Sequence, residues 1–225
     1  MRIIYIVFLG ASLWACSSHL TISGSKDPIL SNDNSQSELN EFLRPYSDSL
    51  EVLMSEKIAY TNMDLIKQRP SSNLMKWVAN AIFSHETKNV RLSKPAFCLL
   101  NTGGLRSIIG KGDVTVGNIF KLMPFDNTVV WVEFDKSVLN EIEQYFIKSG
   151  GEPLSNATFD GNKLLFEVTG LGDKFILITS DYLYGGGDSM EFMKQGELIK
   201  NEGILIRDIL IEEAKDQKLL HNFCE

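Results

Sequence analysis

Apolar residues recur at helical spacing in residues 72–86 (SNLMKWVANAIFSHE). Leu74, Trp77, Val78, Ala81 and Ile82 share one face there, with Ser72 or Asn73 placed to cap the start. The same period predicts helices over 39–54, 116–123 (stopped by Pro124), 136–148 and 203–218. For the helix over 136–148, Asp135 is the expected N-cap, and Gly150 lies just past its end. Period-two and β-branched patterns predict strands. The strongest is 128–134 (TVVWVEF), followed by the buried run 97–101 and the segment 58–65. Residues 164–169 and 174–179 read as a pair of strands joined around Gly170-Leu171-Gly172. No internal repeat is visible. Strands and helices mix without a regular βαβ rhythm, so the expected class is α+β, a mixed sheet with helices packed on one or both faces.

The chain has 225 residues, 44% hydrophobic and 23% charged, enough for one domain with a core and some tail. The formal net charge of −7 argues against a broad nucleic-acid footprint, so any phosphate would be bound by a local site. Three cysteines cannot form a disulfide framework, although a Cys98–Cys224 pair is conceivable in an oxidising compartment. Cys98 stands in an apolar run and reads most simply as a buried small hydrophobe. His85 and His221 lack a second ligand-type residue at metal-binding spacing, and His19 falls in a polar stretch.

The first 16 residues, MRIIYIVFLGASLWAC, have a charged start and an apolar run too short for a permanent span. That is the layout of a signal peptide. Ala15-Cys16 at its end resembles a bacterial lipobox, which implies cleavage before Cys16 and lipidation there; a plain secretory signal with a chance cysteine is the other reading. The expected organisation is therefore a signal peptide at 1–15, a flexible tether at 16–38 that is rich in Ser, Asn and Asp, and one domain at 39–225. The expected location is the bacterial cell envelope, on a lipid-anchored membrane protein.

Three turns carry the candidate chemistry. Asn101-Thr102-Gly103-Gly104-Leu105-Arg106 follows a buried strand; the glycines permit close approach, Asn101 offers donor and acceptor, and Arg106 presents a planar fork suited to phosphate. It also reads as an ordinary Gly-Gly turn with a surface arginine. Pro124-Phe125-Asp126-Asn127 sets an aromatic ring beside an amide at a strand entry; Phe125 is either a stacking surface or a core residue. Tyr182-Leu183-Tyr184-Gly185-Gly186-Gly187-Asp188 offers a ring and a carboxylate beside a glycine loop. It reads equally well as a flexible turn with Asp188 capping a helix over 189–194.

The order and spacing NTGGLR, GDVTVGNIF, PFDN, YLYGGGD resembles the C-terminal domain of the 5′-nucleotidase family. The similarity runs from about Ile58 to Phe192, with Gln68-Arg69-Pro70 resembling the segment that opens that domain. The resemblance implies that Phe125 and Tyr182 sandwich a nucleobase. It implies that Asn101 and Asn127 bond the base or ribose region across the close-approach glycines Gly103, Gly104, Gly186 and Gly187. Asp188 would accept from ribose hydroxyls, and Arg106 with Arg69 would face the phosphate or ribose side. The sequence departs from the family pattern at Ser71, Met75, Lys76 and Asn80, which puts a role of that helix in question.

Complete enzymes of the family add a metallophosphoesterase domain with D-x-H and G-N-H motifs, and these 225 residues contain neither. The expectation is a nucleotide-binding chain with no cofactor of its own. It would serve nucleotide catabolism with a separate metallophosphoesterase chain holding two divalent metal ions that hydrolyses the 5′-phosphate. It would not act as a hydrolase alone, and nucleic acid is not an expected partner. The alternative is a lipid-anchored module that binds nucleosides or nucleotides without hydrolysis.

Overall fold

The computed structural model describes residues 33–166 and 172–220. The predicted signal, Cys16, His19, His221 and Cys224 lie outside the described residues. Contacts divide the chain into two units, Met1–Arg44 and Pro45–Glu225. Helix α1 (Asp33–Met54) starts inside the segment read as a tether and crosses that boundary. The second unit holds the site.

Its centre is a five-stranded mixed sheet in the order β5-β2-β8-β4-β9, built from β2 (Ala96–Leu99), β4 (Thr128–Asp135), β5 (Leu154–Ser155), β8 (Lys174–Ser180) and β9 (Glu197–Leu205). β2 and β8 are parallel, and the remaining neighbours are antiparallel. The alternation foreseen for 128–134 puts Val129 and Trp131 on one face and Val130, Val132 and Phe134 on the other. Both faces are covered. One core packs Trp131, Cys98 and Ile178 against α2 (Asn73–Thr87), α3 (Val116–Leu122) and α6 (Ile206–Gln217). The other packs Phe97, Phe134 and Phe175 against α4 (Leu139–Ser149) and the loop after β8. Two small antiparallel sheets complete the unit: β1 (Lys57–Thr61) pairs with the distant β3 (Gly112–Thr115), and β6 (Ala157–Phe159) forms a hairpin with β7 (Leu164–Phe166).

Four sequence expectations are corrected. Residues 164–166 pair with 157–159, whereas β8 lies between β2 and β4, because its side chains are needed in both cores. The last helix begins at Ile206 and not at residue 203; the preceding polar stretch is the exposed edge strand β9. The helix over 136–148 opens with a 3-10 turn, Lys136–Val138, and the Asp135 side chain makes no capping bond. In place of the helix expected over 189–194 stand two 3-10 turns, Gly187–Ser189 and Glu191–Gln195, without side-chain capping.

Other local signals hold. Ser72 caps α2 by accepting from the Met75 amide, and Thr115 with Asn118 forms a reciprocal capping box on α3. Cys98 is fully buried, and burial pushes its thiol well above the usual range.

Candidate functional site

The three turns singled out from sequence meet at one end of the sheet. Register aligns Cys98 with Ile178 and Val129 with Ser180, so the carboxyl ends of β2 and β8 and the amino end of β4 lie together. Asn101 leaves β2 buried, and its Nδ2 donates to Asp188 Oδ2 at 2.7 Å. The chain then turns through the 3-10 segment Thr102–Gly104. A Cβ on Gly104 would stand 2.9 Å from Asn101 Oδ1, and one on Gly103 would stand 3.1 Å from Asp188 Oδ2. The two glycines let backbone pass directly beside the amide–carboxylate pair.

On the other side, Tyr182 follows β8 in the short helix α5 (Asp181–Tyr184), whose start Ser180 caps by accepting from Leu183 N. Its hydroxyl donates to Asp188 Oδ1 at 2.9 Å, and Asp188 N donates back to that hydroxyl at 3.3 Å. This bond to Asp188 raises the phenol above its ordinary pKa. The loop closes through positive φ at Gly186 (89°), Asp188 (51°) and Ser189 (63°). A Cβ on Gly187 would lie 2.4 Å from Tyr182 Cε1, so the ring seats on that glycine. Tyr145 adds a weaker bond to the Asp188 carbonyl at 3.4 Å; its phenol is pushed up to about 12, first by burial and then by the charges of Glu152 and Asp188.

Asp181 joins this loop to the third turn. It accepts from Thr128 N at 3.1 Å and from Thr128 Oγ1 at 2.9 Å. Phe125, in that turn, is 44% exposed and Tyr182 46%, so both keep accessible ring surface. Arg106 lies with its guanidinium carbon 5.8 Å from the Phe125 ring centre and donates weakly to the Gly103 carbonyl at 3.4 Å. Asn127 is half-buried; its carbonyl accepts from Ile206 N, and no side-chain bond of Asn127 occurs among the described residues.

Two supporting residues escaped the sequence reading. Arg207, 7% exposed, stacks 4.3 Å over Phe120. It donates to the Met123 and Phe125 carbonyls at 3.4 Å and to Asp126 Oδ1 at 2.5 Å, which fixes the turn that presents Phe125. Glu152 is the other. Its carboxylate accepts from Thr102 N at 2.5 Å and from Arg69 NH2 at 2.6 Å, while Arg69 Nε donates to the Gly151 carbonyl at 2.8 Å. Neither residue had a local signal, since both act through partners far along the chain.

A cavity of about 530 Å³ opens beside Gly151 and Glu152, lined by Pro70, Lys76, Phe146 and Phe159 among others. None of the residues nominated from sequence lines it; the site is defined by the bonded constellation around Asp188 instead. Among the described residues no group of three or more His, Cys, Asp or Glu side chains could hold a metal ion. His85 faces Glu86 and Glu212.

Residues 54–143 match the family model described as 5′-nucleotidase, C-terminal domain. The chain is 28% identical to the trifunctional nucleotide phosphoesterase protein YfkN of Bacillus subtilis, over 84% of this chain and 15% of that protein. It is 32% identical to a 5′-nucleotidase of Vibrio cholerae serotype O1, over 44% of this chain and 18% of that protein. The chain thus spans less than a fifth of these curated relatives. The crystal structure of a 5′-nucleotidase precursor from Thermus thermophilus superimposes with a TM-score of 0.64 at 21% identity, over 86% of this chain and 42% of that one. The fold is the α+β, mixed-sheet fold of the 5′-nucleotidase C-terminal domain, and residues 54–143 carry that family's sequence pattern.

Proposed function

We propose that this chain binds the nucleobase and ribose of a nucleotide and presents its phosphate to a metallophosphoesterase on a separate chain. One observation carries the reading: Asn101 and Tyr182 both donate to the Asp188 carboxylate at the sheet end where exposed Phe125 is also held. Phe125 and Tyr182 supply stacking surfaces. Asp188 already accepts two bonds, but a carboxylate has about four acceptor positions, so ribose hydroxyls can add to it. The similarity to nucleotide phosphoesterases supports a nucleotide-related role, and the lack of D-x-H and G-N-H motifs in these residues supports placing the two-metal chemistry elsewhere. Acylation at Cys16 would hold the chain at the cell envelope.

The test is AMP hydrolysis by the full chain, by a metallophosphoesterase that co-purifies with it, and by the mixture. The expected result is a rate gain on mixing that Phe125→Ala removes. Nucleoside binding with no rate gain on mixing would instead favour the non-hydrolytic binding module. A folded chain that binds no nucleoside and yields no rate gain would overturn both.

A further inference from the structure

We propose that the cavity beside Gly151 and Glu152 is a second binding site, for a small apolar monoanion: a compact apolar body that carries one carboxylate. Its volume of about 530 Å³ is that of a small-molecule site. It opens between the start of α2, the end of α4 and the segment that runs from β5 to the turn after β6. The walls are largely apolar. Phe146 of α4, 2% exposed, and Phe159 of β6 stand with ring centres 5.2 Å apart and planes tilted by 38°. Leu154 and the buried Ala157 add to the same lining. Such a surface favours taking an apolar body out of water. None of the residues nominated for the nucleoside lines it, whereas Ser71 and Lys76 do, two of the positions at which the sequence departs from the family pattern. The cavity is thus separate from the turns around Asp188, and the proposal does not depend on what they bind.

The polar groups on the lining decide the charge of the occupant. Glu152 already accepts from Arg69 NH2 at 2.6 Å and from Thr102 N at 2.5 Å. Asp160 Oδ1 accepts from Lys163 N at 2.7 Å and from Asn162 N at 2.8 Å, and these bonds hold its carboxyl below the usual carboxylate range. Both acids therefore have their donors within the fold. Lys76 is the opposite case. It is half-buried on the first turn of α2, and among the described residues its ammonium has neither an ion-pair nor a hydrogen-bond partner. Three N–H donors beside an apolar wall are left for a ligand to satisfy. A cation would be repelled by Lys76, and a neutral ligand would leave its charge unused. An apolar body with one carboxylate meets both the wall and the ammonium.

The probes are 2-naphthoate and its neutral near-isostere 2-naphthamide, titrated by calorimetry into the full chain in detergent. Uptake by micelles is common to the wild type and the variants and drops out of the comparison. The expected result is one naphthoate per chain, bound about fivefold or more tightly than naphthamide, with a preference that shrinks as salt is raised. Lys76→Gln should remove the preference and leave naphthamide binding as it was. Ala157→Trp, which fills the cavity, should abolish binding of both probes; if that variant does not fold, Lys76→Gln decides the matter by itself. Adenosine should displace neither probe. Equal binding of the two probes, a preference that survives Lys76→Gln, binding that persists in folded Ala157→Trp, or no binding by the folded wild type would each overturn the proposal. Displacement by adenosine would overturn it too, by making the cavity part of the nucleoside site.

Discussion

Phe125 is held out at a strand entry by a buried arginine, and this arrangement makes its ring the most separable part of the site. Arg207 bonds the turn through its carbonyls and through Asp126, so none of the anchoring passes through the ring itself. Phe125→Ala should therefore leave the fold unchanged while removing a stacking surface. Base–aromatic stacking is worth about 1–3 kcal/mol, so nucleoside affinity should fall roughly 5- to 150-fold at unchanged melting temperature. Calorimetry beside thermal unfolding checks both halves; equal affinity in the variant would put the base elsewhere. The phenols allow a second prediction. Tyr145 and Tyr182 both titrate above the ordinary value of 10.0, Tyr145 because of burial and Tyr182 because of its bond to Asp188. A raised folded pKa favours the protonated form, so this stability is complete below about 10 and is lost as pH climbs toward about 12. Alkaline unfolding followed by tyrosinate absorbance should begin within that window. Tyr145→Phe should move the onset to higher pH, and an unmoved onset would show that the Tyr145 phenol is not responsible.

Among the elements, the turn after α4 joins the fold to the site. Gly150 ends the helix at φ 78°, and Gly151 follows at φ 116°. A Cβ on Gly151 would lie 2.1 Å from the Pro70 carbonyl oxygen, a backbone clash that no rotamer relieves. Gly151→Ala is expected to cost more than the roughly 1 kcal/mol of an ordinary glycine replacement, and to weaken nucleoside binding by displacing Arg69 and Glu152. Denaturant unfolding with parallel binding measures both; a variant of wild-type stability would show that the turn adjusts freely. This turn also marks where sequence reading stopped. The α4 periodicity and the stop at Gly150 were legible, as were the α2 cap and the strand at 128–134, because each signal is local. Asn101, Phe125, Tyr182 and Asp188 were nominated from turn chemistry and family resemblance together, and the fold brings their turns to one end of the sheet. Glu152 and Arg207 were not, because a buried carboxylate or guanidinium looks solvated in sequence until its distant partners are known. The edge strand β9 was missed for the opposite reason. Its exposed, charged residues carry no two-residue alternation, and β4 alone supplies its pairing. The mispaired strands at 164–179 followed from assuming that neighbours in sequence pair, whereas β8 lies between β2 and β4.

At the scale of the whole molecule, attachment to a membrane depends on what could supply the affinity. Among the described residues no helix is long and apolar enough to cross a bilayer. The chain carries a net charge of −7, and removal of residues 1–15 would take away Arg2 and make it more acidic. An anionic lipid surface would repel such a protein, so electrostatic adsorption cannot substitute for an anchor. Acyl chains on Cys16 would contribute about 0.8 kcal/mol for every buried CH₂, and more than one chain is needed for stable attachment. The expected behaviour is that the wild-type chain stays with membranes through high-salt and alkaline washes and is released by detergent. Cys16→Ser should shift it to the soluble fraction or leave an uncleaved precursor of higher mass, with fatty-acid labelling abolished. Labelling that survives in the variant would remove Cys16 from the anchor. A wild type washed off by salt would mean that the membrane is reached through a partner protein, and the proposed two-chain assembly would then have to form on that partner's surface.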